Sequence, residues 1–338
     1  MKRKGLLLGI GGCCLILLLL LVSTVVYAQQ KTFHLKMQVL QTEQEALTSM
    51  KEWAGKVKRA TNSQVTIEIF PSGALVPAPQ MVQAVGQGTI EMAYSYGGYH
   101  PGFIDIANIE CGVPMAWGNI DEAVKFHFVK DFIRIAREAY AEKNIYWMTP
   151  ILEDPFLLCS KKPVRSLADL KPMKIRATAP VAALLKPFGI ATVYIPSEEF
   201  YTSLSTGIID GVIYGGESAY AGLKLQEHAK YITDMKVLNP MTSAIIVNKK
   251  VWDSMPVDVR EMVEDVTRGF YTIPWFVWRS KVAERDRVHF TLEPFLAEDV
   301  GKMTKAAQTV WDAEAKKSPR AAKAIEILRS LAKESGRL

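Results

Sequence analysis

Apolar positions along this chain recur with two periods that take turns. From Phe33 to Leu40 they alternate every second residue, as a half-buried strand requires. Leu47, Met50, Ala54 and Val57 then recur at helical spacing. Val65, Ile67 and Ile69 return to the strand period within Gln64 to Phe70, and Pro71-Ser72-Gly73 stops it. Short apolar runs alternating with helical patterns predict an α/β architecture with parallel strands. The last third is helical. Pro256 suits a first helical turn, and Asp258 and Glu261 suit its positive end. Val259, Met262, Val263, Val266 and Phe270 make one buried stripe. Trp275 to Phe290 predicts an aromatic-rich helix that packs across lobes or supports a homodimer. Ala306 to Leu331 predicts alanine-rich, charged terminal helices.

One pattern occurs twice. Ile69-Phe70-Pro71-Ser72 leads to a helix around Met81–Val85, then to Gly88-Thr89-Ile90-Glu91-Met92-Ala93. Tyr194-Ile195-Pro196-Ser197 leads to a helix around Phe200–Leu204, then to Gly207-Ile208-Ile209-Asp210-Gly211-Val212. Gly88 and Gly207 fit left-handed C-caps. Both following strands run into glycine pairs, Gly97-Gly98 and Gly215-Gly216, where backbone can approach a ligand. Two such units facing a crevice describe a hinged binding protein.

The N-terminus bears on compartment. Lys2, Arg3 and Lys4 precede an apolar stretch from Leu6 to Val26, and Val26-Tyr27-Ala28 supplies small residues for cleavage. Residues 1–28 read as a secretory signal cut after Ala28. The stretch is also long enough for an uncleaved anchor, and Ile10-Gly11-Gly12-Cys13 loosely resembles a lipidation site. The formal charge of +6 loses three basic residues with the signal. The small remainder, without a basic block, excludes nucleic acid as a partner. Cys13 and Cys14 leave too. Cys111 and Cys159 sit among apolar residues and read as buried free thiols rather than a disulfide framework. The mature length supports two packed lobes.

Candidate chemistry centres on Arg176, framed by apolar residues at the end of a short strand in Lys174-Ile175-Arg176. Strand ends in α/β folds face the crevice, where a guanidinium is a two-pronged donor for a carboxylate. A structural Arg paired with a neighbouring acid is the alternative. Tyr94, Tyr96 and Tyr99 flank the first glycine pair and suit a small polar ligand. Some of these belong to the core, and at least one is expected at the ligand. Phe156 follows Glu153-Asp154-Pro155 near the crossing into the second lobe and can wall the cleft. Glu153 and Asp154 can meet a ligand amine or hydroxyl, or pair with Lys161 and Lys162. Glu217 stands just past the second glycine pair.

Enzyme signatures are missing. Gly216-Glu217-Ser218-Ala219-Tyr220 has Tyr where a nucleophile elbow needs Gly. No His-x-x-x-His pair, phosphate loop or dinucleotide fingerprint occurs. His100 reads as a hydrogen-bonding wall. No catalytic residue, cofactor or metal ion is assigned.

Five segments, in order, resemble the DctP-like periplasmic solute-binding proteins of tripartite ATP-independent periplasmic (TRAP) transporters. They are Phe70-Pro71-Ser72-Gly73-Ala74-Leu75, Gly88-Thr89-Ile90-Glu91-Met92, Asp169-Leu170-Lys171-Pro172-Met173-Lys174-Ile175-Arg176, Leu204 to Gly211, and Val247-Asn248-Lys249-Lys250-Val251-Trp252 with Met255-Pro256. The resemblance implies a two-lobed periplasmic binding protein fold, a long helix spanning both lobes, and a ligand cleft between them. The expected partition is 29–150 for lobe I with a return near 238–255, 151–237 for lobe II, and 256–338 for the helical part with the spanning helix. It further implies a small carboxylate ligand held by Arg176, a site position at Tyr214, and delivery to small and large membrane permease subunits in the periplasm. The same fold also serves a ligand-sensing receptor with a signalling partner, and a secreted enzyme is a remoter reading. One branch of the family binds its acid with a metal through a Trp and a downstream Glu. Tyr214 and the acid-free Asn239 to Ala244 depart from that pattern, so no metal is carried over.

Overall fold

The computed structural model describes residues 31–100 and 102–338, so the expected leader at 1–28 lies outside the described residues. Two sheets carry the molecule, one in each lobe. The first contains β1 (Phe33–Gln38), β2 (Val65–Phe70), β3 (Met92–Ser95), β4 (Ile145–Leu152) and β10 (Thr242–Asn248), in the order β2-β1-β3-β10-β4. The second contains β5 (Leu158–Ser160), β6 (Lys174–Arg176), β7 (Ala191–Val193), β8 (Gly211–Ile213), β9 (Tyr231–Thr233) and β11 (Thr291–Glu293), in the order β11-β9-β5-β8-β6-β7.

The internal repeat is visible in these orders. In each lobe three strands are parallel, β2-β1-β3 and β7-β6-β8. In each a strand that crosses from the other lobe is then inserted antiparallel: β10 beside β3, and β5 beside β8. The sheets are therefore mixed, not wholly parallel as the pattern predicted. The physical reason is the double crossing, because β4 leads into β5 and β9 into β10, and each arrives from the opposite direction. Gly88 and Gly207 cap their helices at φ +80° and +79°, in the left-handed region a Cβ disfavours.

Burial follows strand type. The inserted β10 is buried at all seven residues, as a central strand covered on both faces must be. Each fully buried aliphatic or Phe side chain, such as Ile245 or Phe132, contributes roughly 1.5–3 kcal/mol. Cys111 and Cys159 are free and buried.

The spanning helix has two segments, Val257–Tyr271 and Ile273–Asp286. They part at Thr272, two residues before Pro274, whose ring and missing N–H prevent an unbroken α-helix. Arg137 and Tyr146 of the first lobe hold Glu264 of the first segment at 2.5 and 2.8 Å. Past the second segment, Arg287 donates to Glu217 of the second lobe at 2.9 Å. The chain then adds β11 to the second sheet and ends in two helices, Ala297–Ala315 and Pro319–Glu334. No helix among the described residues is long and apolar enough to cross a membrane.

Candidate ligand site

A cavity of about 40 Å³ lies between the lobes. Gln41, Glu43, Tyr96 and Tyr99 face it from the first lobe, and Tyr214, Gly215 and Ala219 from the second. Glu153, Asp154 and Phe156 enter from the β4–β5 crossing, Met241 and Ser243 from the return crossing, and Arg279 from the spanning helix. Both crossing strands' connections and the spanning helix thus contribute to the wall. The space holds roughly three waters, which favours a small ligand.

Aromatic rings form one side. Tyr96 packs edge-on against Tyr99 at 5.2 Å and tilted against Phe156 at 5.7 Å, and Phe156 meets Tyr214 at 6.1 Å. Burial raises the phenol pKa of Tyr96, Tyr99 and Tyr214, so all three are neutral hydroxyls at physiological pH.

Arg176 is fully buried at the end of β6, behind this aromatic layer, and does not itself face the cavity. It donates from Nε to the Ile195 carbonyl at 2.9 Å and from Nη1 to the Ile213 carbonyl at 3.2 Å. Its guanidinium lies 4.7 Å from the Phe200 ring centre, 5.2 Å from Tyr194 and 5.4 Å from Tyr214. Among the described residues no acid pairs with it. Nη2 is buried without a hydrogen-bond partner. Tyr99 stands close enough that the Arg176 charge offsets part of the burial effect on its phenol. Tyr99 belongs to the first lobe and Arg176 to the second, while the three rings around the guanidinium, Tyr194, Phe200 and Tyr214, are the second lobe's own. A groove of about 350 Å³ opens outside Tyr99, lined also by Gly98, Ala177 and Tyr194. The Tyr99 ring separates that groove from the cavity.

The two acids of the crossing are paired, but not with Lys161 or Lys162. Asp154 Oδ2 accepts from Arg279 Nη2 at 2.8 Å and from Ser218 Oγ at 2.6 Å. Glu153 Oε2 accepts from Trp275 Nε1 at 3.4 Å and lies 3.7 Å from Arg279 Nε. Burial, the largest effect, pushes the Glu153 carboxyl up to about 8.

Of the residues read from sequence as site candidates, the structure brings Tyr96, Tyr99, Glu153, Phe156 and Tyr214 to the cavity. Tyr94 lies elsewhere, in the first-lobe core against Tyr271 and Trp275. Glu217 is taken by Arg287 and faces a separate groove with Asp234 and Lys236. His100 bonds Tyr140 at 3.2 Å, and burial holds its pKa near 3. The glycine pairs serve packing as much as access: a Cβ on Gly97 would sit 2.0 Å from the Ala107 carbonyl oxygen. Among the described residues no three His, Cys, Asp or Glu side chains converge as around a metal ion.

Sequence reasoning missed Arg279, Gln41, Glu43, Met241 and Ser243. For Arg279 a signal existed. Trp275, Arg279 and Val282 share one helical face, and an Arg on a buried face needs a buried acid.

A sequence model of the family described as "Bacterial extracellular solute-binding protein, family 7" (DctP) matches residues 37–273. A solute-binding protein of Albidiferax ferrireducens is 26% identical over 64% of this chain and 64% of its own. A monocarboxylate 2-oxoacid-binding periplasmic protein of Nostoc is 24% identical over 63% of this chain and 59% of its own. The chain thus spans about six tenths of these two relatives' length. Among solved structures, a TRAP periplasmic solute-binding protein of Chromohalobacter salexigens with bound (S)-2-amino-1-propanol superposes with a TM-score of 0.82, at 22% identity over 90% of this chain and 96% of its own. A Bordetella pertussis solute receptor binding pyroglutamic acid gives 0.78, at 20% identity over 88% and 100%. The match across well over half of its length establishes that this chain belongs to the bacterial extracellular solute-binding proteins, family 7.

Proposed function

We propose that this chain is the periplasmic receptor of a TRAP-type secondary transporter, which closes its lobes on a small organic acid and passes it to small and large membrane subunits. One observation carries the reading: Arg176 is buried among aromatic rings with no acid beside it and one Nη2 donor to spare. A ligand carboxylate would complete that donor set, each charge-assisted bond contributing roughly 1.5–3 kcal/mol. Tyr99 of the opposite lobe covers the guanidinium, so closure and anion capture are one event. The acids held by relatives of the same family support the choice of ligand class.

The reading is of binding without chemistry. Ser218 hydrogen-bonds Asp154, but no histidine is among the described residues lining the cavity.

A thermal-shift screen of small organic acids tests the proposal. A ligand at about 100 times its dissociation constant stabilises by roughly 2.7 kcal/mol. At least one carboxylate is expected to raise Tm, and the shift should fall by about half or more with Arg176→Lys. A screen in which only uncharged solutes raise Tm overturns the reading.

A further inference from the structure

The cavity and the groove, on either side of the Tyr99 ring, differ in kind. Glu43, Glu153, Asp154 and Arg279 face the cavity. Of its lining residues, Gln41 Oε1, Tyr96 Oη, Glu153 Oε1 and Arg279 Nε are buried with no hydrogen-bond partner among the described residues. Such a mixture of donors and acceptors suits water, and a space of about 40 Å³ takes roughly three. An apolar body there would leave those atoms unmatched.

The groove of about 350 Å³ is larger, and its lining carries no charged side chain among the described residues. Pro79 lines it from the first lobe and Ala179, Ala182 and Val193 from the second. Thr192 supplies its one side-chain hydroxyl beyond Tyr99 and Tyr194. Ala179 and Ala182 stand three apart on one helix, so they share a face, and their small side chains keep the space open.

The groove also reaches the anion anchor. Tyr194 lies 5.2 Å from the Arg176 guanidinium and meets Tyr99 edge to face at 6.1 Å. Burial raises the pKa of both phenols, and the Arg176 charge opposes the rise in each. Of the rings around the guanidinium, Phe200 is buried and Tyr214 faces the cavity, whereas Tyr194 is 45% exposed. The short way from the unpartnered Arg176 Nη2 to solvent therefore runs along the Tyr99–Tyr194 seam into the groove.

We infer that the ligand is a monocarboxylate with a hydrocarbon body, its carboxylate on Arg176 and its alkyl chain or aryl ring in the groove. This rests on the carboxylate reading above and narrows it. Walls of methyl groups, a proline and ring faces offer a second carboxylate no cation and a row of hydroxyls few partners. What they reward is apolar surface removed from water. An enclosed space of about 150 Å³ already takes benzene, so the groove has room for a phenyl ring or a short alkyl chain.

Calorimetric titration of the exported chain tests this with two sets of probes. Along acetate, propanoate, butanoate, pentanoate and hexanoate, affinity should rise about two- to fourfold per methylene. The tighter of hexanoate and phenylacetate should bind about tenfold or more tighter than adipate, which adds a second carboxylate, and gluconate, which adds hydroxyls. Ala182→Leu fills part of the groove and should flatten the rise along the series. Adipate or gluconate binding as tightly as the apolar acids overturns this inference and leaves the carboxylate reading standing. So does a series without a rise, or a rise that Ala182→Leu leaves unchanged. If none of these acids binds while the wider organic-acid screen finds another carboxylate, this inference alone fails. If that screen finds none, both fail. Should Ala182→Leu not fold, the wild-type series and the comparison with adipate and gluconate decide alone.

Discussion

Arg279 on the spanning helix donates through Nη2 to Asp154 Oδ2 at 2.8 Å, at the point where β4 hands the chain to β5. Both residues are buried. The pair ties the element that spans the lobes to one of the strands that cross between them, and it borders the cavity. Removing one partner strands the other charge away from water. Arg279→Met is predicted to cost about 3–5 kcal/mol in urea-induced unfolding. Adding Asp154→Asn should recover part of the loss, because the two changes share one interaction. A purely additive double variant would show that the pair is not coupled.

Arg176→Lys keeps the charge and loses the fork that reaches Ile195 and Ile213 together with a third partner. Carboxylate affinity is predicted to fall about tenfold or more, read by titration calorimetry. Equal affinity in the Lys variant would mean that the guanidinium only braces the second lobe.

Tyr99→Phe removes a hydroxyl and keeps the ring that divides groove from cavity. Its packing against Tyr96 and Tyr194 should persist, so stability should change little. Ligand binding is predicted to weaken by about 0.5–1.5 kcal/mol, the worth of one neutral hydrogen bond. Tyr94→Phe, in the core beneath the spanning helix, should leave affinity unchanged.

Stability should fall as pH rises above neutral. Burial first of all raises Glu110 and Glu153 to about 8, far above an unfolded carboxyl. A carboxyl raised in the folded state binds a proton there that the unfolded chain has released, so stability drains away as pH climbs toward 8 and then levels. His100 and His127, held by burial near 3 and 4, work oppositely: they favour the fold above about 6.5 and withdraw that support in acid. Between about pH 7 and 8 the carboxyls outweigh the nearly completed histidine titration. Tm measured across that window should decline, and Glu110→Gln should flatten the slope. A rising Tm would contradict the burial of these acids.

The repeat was legible because its punctuation is local: Pro71 and Pro196 stop strands, and Gly88 and Gly207 cap helices within the same short span. That a strand ends at Arg176 was legible. Its full burial was not, since the carbonyls that hold it belong to Ile195 and Ile213, on other segments of the second lobe. Tyr94 and Tyr96 share the strand period, yet β3 ends at Ser95 and the chain turns, so one ring enters the core and the other the cavity. Glu217 looked free because its partner Arg287 lies 70 residues on. Long-range pairing of this kind leaves no local pattern. The antiparallel insertion of β10 and β5 was hidden for the same reason: a strand's direction depends on where its neighbour arrives from.

The most direct measurement is a crystal structure of the chain with its bound organic acid. The account predicts a carboxylate oxygen within about 3.2 Å of Arg176 Nη2, with Tyr99 over it. A carboxylate held instead by Arg279, with Arg176 still sealed behind the tyrosines, would contradict it.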